Sequence, residues 1–160
     1  MCFVLQNLSP NLPEKSTVTC SQTNLPSGRA HSMSAILLDT CALLWLGFGD
    51  SRLSLEARQL IEETDTVYVS PISLWEIANK RSTGGLTLQL PTREWFAKVC
   101  EWHQLSLLPL SGEVMILAGE LPRHHKDPAD RIIIAAALES NLVVVTADHR
   151  FPEYGVTTIC

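Results

Sequence analysis

From Ala35 onward, short apolar runs alternate with stretches of helical periodicity, and this alternation restricts the fold more than any other property of the chain. Ile36-Leu37-Leu38 is an unbroken apolar run, as expected for a strand buried on both faces. Thr40 to Leu46 reads as a helix, and Leu53 to Glu63 as another, with Leu53, Ala57, Leu60 and Ile61 on one stripe. Val67-Tyr68-Val69 is a second strand. Ser70-Pro71 pairs an N-cap with proline at the first helical position, and that helix runs to about Arg81, short of Gly84-Gly85. Thr92 to His103 is helical, and Leu105 to Leu108 is a short strand. Ser111 starts a helix whose stripe is Val114, Leu117, Ala118 and Leu121. Asp127-Pro128 starts the next, to Ser140, followed by strands at Leu142 to Thr146 and Val156 to Ile159. Repeated β-then-α order predicts an α/β, three-layer fold: a central parallel sheet of about four to five strands with helices on both faces.

The chain has 160 residues, enough for one domain with a real core, and 46% of them are hydrophobic. Residues 1–32 differ: they hold Pro10, Pro13 and Pro26, many Ser, Thr and Asn, and no periodic apolar pattern. They read as a disordered or mis-annotated N-terminal extension, with Met33 as the natural start of a domain spanning 33–160. No apolar run approaches the ~18 residues of a membrane span. The five cysteines are scattered, without CxxC or zinc spacing, which suits isolated thiols in a reducing cytoplasm. A net charge of −5 gives no basic footprint for nucleic acid, yet does not exclude it, because bound metals supply local positive charge.

Four carboxylates fall at informative places. Asp39 ends the first apolar run, and Asp148 follows the Leu142 to Thr146 run. Glu76 lies in the helix that opens at Pro71, and Asp130 in the first turn of the helix that opens at Pro128. A parallel sheet brings strand ends and helix starts to one rim, outside the carboxyl ends of the strands. Acids gathered there repel one another, one pair ~4 Å apart costing roughly 4 kcal/mol at an effective dielectric of about 20. A bound divalent cation is the simplest relief. Each acid alone also has a structural reading. Asp39 can cap the next helix. Glu76 can pair with Lys80 four residues on. Asp130 can answer the helix dipole, and Asp148 can serve a turn before Phe151-Pro152. Asp127 reads as an N-cap.

His124 and His125 adjoin Arg123 and Lys126 in what reads as a solvated loop. Adjacent histidines do not readily point the same way, so a two-histidine zinc site is disfavoured. Near an acidic metal site, His125 and Lys126 could instead meet phosphate oxygens, helped by Lys80, Arg81 and Arg131. Trp45, Trp75, Trp95 and Trp102 read as core or subunit interface rather than a base-stacking platform.

Taken together, these strings resemble a known family. Ile36-Leu37-Leu38-Asp39-Thr40 followed by Ala42-Leu43-Leu44-Trp45 resembles the opening of PIN-domain proteins of the VapC toxin type. Ser70 to Ile77, His125 to Ala135, and Thr146-Ala147-Asp148 with Phe151 resemble the later motifs, in order. The resemblance implies a PIN fold and an endoribonuclease dependent on Mg²⁺ or Mn²⁺. It also implies a homodimeric toxin held inactive by a cognate antitoxin protein, with Asp39, Glu76, Asp130 and Asp148 as catalytic, metal-binding acids. Cys41 departs from the pattern, since close relatives often show His there. Three rival readings come from other classes. A receiver-like signalling domain would carry paired acids after the first strand, but Leu38 precedes Asp39. A catalytically silent binding module would not need all four acids. A nucleotide-binding Rossmann module lacks its G-x-G-x-x-G.

Overall fold

The computed structural model describes residues 35–160; the expectations for residues 1–32 and for Met33 as the start lie outside these described residues. Strands β1 (Ala35–Leu38), β2 (Thr66–Val69), β3 (Leu105–Leu107), β4 (Val143–Val145) and β5 (Thr158–Ile159) form one sheet in the order β3-β2-β1-β4-β5. Every pairing is parallel, with Leu38 opposite both Val69 and Val145. Each crossover between neighbouring strands carries helix or a single turn, as parallel pairing requires. The helices are α1 (Thr40–Phe48), α2 (Leu55–Glu63), α3 (Pro71–Ser82), α4 (Thr92–His103), α5 (Gly112–Glu120) and α6 (Pro128–Ser140), with a 3-10 turn at Phe151–Tyr154.

Side chains of β1 alternate between two cores, because successive residues of a strand face opposite sides. Ile36 and Leu38 join the layer holding Trp45, Ala57, Ile77, Trp95 and Val99, drawn from α1 to α4. Leu37 joins the opposite layer, with Val114 and Ala118 of α5, Ile133, Ile134 and Ala137 of α6, and Phe151. Burial on both faces explains why β1 and β4 are apolar without interruption. Glycine permits one tight approach between helices: a Cβ on Gly47 would meet Cζ2 of Trp95 at 2.6 Å and Cγ2 of Val99 at 3.0 Å.

Element boundaries differ from the sequence expectation by a residue or two in several places: α1 runs on to Phe48, β3 stops at Leu107 and β4 is Val143–Val145, and at two further boundaries the cause is visible. Leu53 lies before its helix, buried in the connection, because the Ser54 side chain accepts from the Ala57 N–H at 3.0 Å and starts α2 at Leu55. The last strand is shorter than Val156 to Ile159, because the chain first leaves the 3-10 turn through Gly155 at φ 81°. Trp45 and Trp95 are core, whereas Trp75 is 60% exposed.

Candidate active site

The chain runs from β1 outward to β3 before β4 returns to the other side of β1, so the strand order reverses between β1 and β4. In open parallel sheets such a reversal leaves a crevice at the strands' carboxyl ends. Asp39 follows β1 there. It caps α1, its Oδ1 accepting from the Ala42 N–H at 2.5 Å, and its own N–H donates to Val145 O at 3.1 Å. Its Oδ2 accepts from the Thr146 hydroxyl at 2.6 Å, and that hydroxyl accepts from the Asp148 N–H at 3.0 Å. One threonine just after β4 thus ties Asp148, two residues on, to Asp39, 107 residues before it in the chain.

Asp39, Glu76, Asp130 and Asp148 line a single cleft of about 490 Å³, with Arg52, Lys80 and Arg150 also in its wall. Asp39 is only 5% exposed. Glu76 pairs through Oε1 with Lys80, one turn on in α3, while its Oε2 is buried and has no hydrogen-bond partner. Burial pushes the Asp130 carboxyl up to about 7, and the charges of Asp127, Glu76 and Asp39 push the same way against the pull of His125. Burial also raises Asp148, but the Arg150 backbone N–H at 2.9 Å, His125 and the Arg150 charge outweigh it and hold that carboxyl below the usual range. Beneath Asp130 and Asp148 lies His125, 4% exposed, with Nε2 at 3.1 Å and 3.0 Å from their Oδ2 atoms. The donor set is carboxylate oxygen with one orphaned buried oxygen on Glu76, which suits a hard divalent cation such as Mg²⁺ or Mn²⁺ better than a soft ion.

Residues 36–156 match the PIN domain model, which is most of the chain. The chain belongs to the PIN-domain family. Ribonuclease VapC22 of Mycobacterium tuberculosis is 33% identical over 119 residues, covering 74% of this chain and 90% of that relative. Two solved structures share the PIN fold. VapBC2 from Rickettsia felis, bound to a promoter DNA fragment, aligns with a TM-score of 0.59 at 16% identity, over 78% of this chain and 97% of that one. DNA-bound VapBC from Salmonella typhimurium aligns with a TM-score of 0.58 at 22% identity, over 79% and 98%.

In this PIN domain the four sequence-selected acids share the cleft, and Asp127 is the N-cap of α6, its Oδ1 accepting from the Ala129 N–H at 2.9 Å. The basic residues divide. Lys80 lines the cleft; Arg81, Lys126 and Arg131 are not in its wall. Arg131 instead spends its guanidinium on the carbonyls of Ala118, Gly119, Leu121 and Pro122, at 2.6 to 3.3 Å, closing the C-terminal end of α5. His125 is not in a solvated loop facing phosphate; Phe151 and Tyr154 cover it, and it faces the acids from below. Sequence reading quoted Thr146 only as part of a motif and gave it no role, and it missed Arg52 and Arg150. Arg150 could have been found from its place two residues after Asp148. Arg52 is held by near neighbours, the Asp50 carboxylate two residues back (Nη2 to Oδ2 2.5 Å) and the Trp45 ring, 5.3 Å away, but neither of these is one of the four acids, so nothing local ties it to the cleft.

Proposed function

We propose that this chain is a metal-dependent endoribonuclease that hydrolyses RNA phosphodiester bonds, and that it is the toxin of a toxin–antitoxin pair. The observation carrying the chemistry is the cleft in which Asp39, Glu76, Asp130 and Asp148 meet, with Asp130 pushed up to about 7 by burial and by the charges of Asp127, Glu76 and Asp39. Its relative Ribonuclease VapC22 supports RNA as substrate, and the VapBC complexes among its structural neighbours support an antitoxin partner. Mg²⁺, or Mn²⁺, bound by these carboxylates would lower the pKa of a coordinated water and neutralise charge on the scissile phosphate. Asp39 and Asp130 are the foremost ligands in this reading, with Glu76 and Asp148 binding directly or through water. The chain's own contribution is to hold these oxygens in place: Thr146 fixes Asp39, and the Arg150 N–H fixes Asp148. Lys80 and Arg150 add positive charge at the wall where an RNA backbone would approach, which offsets a net charge of −5.

A cytoplasmic homodimer completes the reading. No described helix is long and apolar enough to cross a membrane, and Cys100 and Cys160 stand as thiols. The test is incubation of the purified protein with total RNA, with Mg²⁺ or with EDTA, and mapping of the cut ends. Cleavage is expected only with metal, and Asp39→Asn is expected to lower it by at least about a hundredfold, because it weakens the hold on the cation that would stabilise the developing charge. Full cleavage in EDTA, or by Asp39→Asn, would refute the reading.

A further inference from the structure

His125 is one of the most enclosed polar side chains beside the acids, and its two ring nitrogens face opposite kinds of partner. Nδ1 receives the backbone N–H of Asp127 at 3.1 Å. An amide N–H can only donate, so Nδ1 presents its lone pair and the ring proton sits on Nε2. Nε2 lies 3.0 Å from Oδ2 of Asp148 and 3.1 Å from Oδ2 of Asp130. An ionised carboxylate only accepts, so this N–H donates to Asp148, while Asp130, from a separate segment, stands within ion-pair distance of the same nitrogen. Arg150 Nη1 also offers only donors, but it stands 3.5 Å from Nε2, at the far limit of a hydrogen bond, so the shorter contacts to Asp127 and Asp148 decide the tautomer and the guanidinium acts as positive charge beside the acids. The loop is anchored to hold the ring there. The His125 N–H donates to the Tyr154 hydroxyl at 2.6 Å, that hydroxyl donates to Pro122 O at 2.9 Å, and the Phe151 ring meets the imidazole edge-on.

By position alone, His125, Asp130 and Asp148 form a group that could hold a metal, their ligand atoms lying within 4.8 Å of one another. The tautomer opposes that role for the histidine. A ligating Nε2 needs its lone pair free, which moves the proton to Nδ1 and turns it against the Asp127 N–H. We propose that His125 is a positioning residue and not a ligand: its Nε2–H donates to the Asp148 carboxylate with Asp130 Oδ2 3.1 Å away, and so holds the two acids at the spacing at which they take a divalent cation. The inference rests on the metal-dependent reading above.

Calorimetric titration of Mn²⁺ into wild type, His125→Gln and His125→Asn tests it without RNA. Glutamine carries an amide nitrogen near the place of Nε2, whereas asparagine reaches only the place of Nδ1. His125→Gln is expected to bind within about threefold of wild type and His125→Asn about 10- to 100-fold more weakly, the usual cost of losing a group that orients a ligand. Wild-type affinity in His125→Asn, or equal loss in both variants, overturns the inference while leaving the metal site standing. A wild type that takes no Mn²⁺ overturns the parent reading and this one with it. Nitrogen-15 shifts of His125 in the wild-type protein at pH 9 give a second readout that needs no variant. A proton on Nε2 and a bare Nδ1 are expected with and without saturating Mg²⁺; a proton on Nδ1 in the Mg²⁺-loaded protein makes His125 a ligand and overturns the inference.

Discussion

Asp130 and Asp148 share one histidine and titrate in opposite directions. Both lose hydration, but Asp148 gains the Arg150 N–H and the Arg150 charge, whereas Asp130 faces Asp127, Glu76 and Asp39. An unfolded aspartate titrates near ~3.9. Between that value and about 7 the folded chain keeps a proton on Asp130 that the unfolded chain has lost. Stability from this residue is therefore greatest at low pH and falls as pH rises through that window, in the absence of metal. Asp148, held low, runs the other way: its contribution is present above the unfolded value and is lost as pH falls through the folded one. Asp130→Asn is accordingly expected to melt higher than wild type at pH 8 in EDTA, by on the order of 5 °C, with the gap closing toward pH 4. Saturating Mg²⁺ should reverse the order, because it stabilises only the protein that binds it. Thermal melts at the two pH values, with and without Mg²⁺, check both statements; equal melting at pH 8 in EDTA would contradict them.

At the scale of elements, the close contact of α1 with α4 depends on the absence of a side chain at Gly47. A glycine inside a helix costs about 1 kcal/mol against alanine, so its presence signals that packing repays it. An added Cβ would lie 2.6 Å from a buried indole, which has no flexible end to move aside. Gly47→Ala is expected to destabilise the fold by about 1–3 kcal/mol despite its better helix propensity, measured by urea unfolding. Arg131 is the second such case. Its guanidinium satisfies carbonyls at the end of α5 that would otherwise lack partners, and its charge lies at the negative end of that helix. Arg131→Gln should lower stability by about 1–3 kcal/mol while leaving RNA cleavage per folded molecule unchanged. A variant of full stability and impaired cleavage would return Arg131 to the substrate.

Helix starts were legible in the sequence wherever capping chemistry was local. Ser70-Pro71 and Asp127-Pro128 open α3 and α6, as their side chains and prolines dictate. Leu53 was misplaced because a stripe of apolar residues does not reveal which of them precedes the Ser54 cap. His125 was read as solvated because its neighbours Arg123, His124 and Lys126 are polar. Its burial comes from Phe151 and Tyr154, which no local pattern connects to it. The four acids were legible as strand-end and helix-start residues. Thr146 was not, since a hydroxyl at a strand end has many ordinary roles.

For the molecule as a whole, the decisive arrangement is topological. β1 and β4 become neighbours only through long crossovers, and that adjacency puts Asp39 beside Thr146 and Asp148. Helices α3 and α6 then bring Glu76 and Asp130 to the same cleft from opposite layers of the sandwich. A chain with a net charge of −5 thus concentrates carboxylates in the cleft, and in the proposed reading a bound cation would reconcile them with an anionic substrate. Anomalous diffraction from a crystal soaked in Mn²⁺ tests this most directly. Convergence of the four acids requires a manganese peak in the cleft, with oxygens of Asp39 and Asp130 at roughly 2.1 Å and Nε2 of His125 outside the coordination sphere. A cleft without a peak, or a peak that the Asp39 and Asp130 carboxylates do not touch, would contradict it.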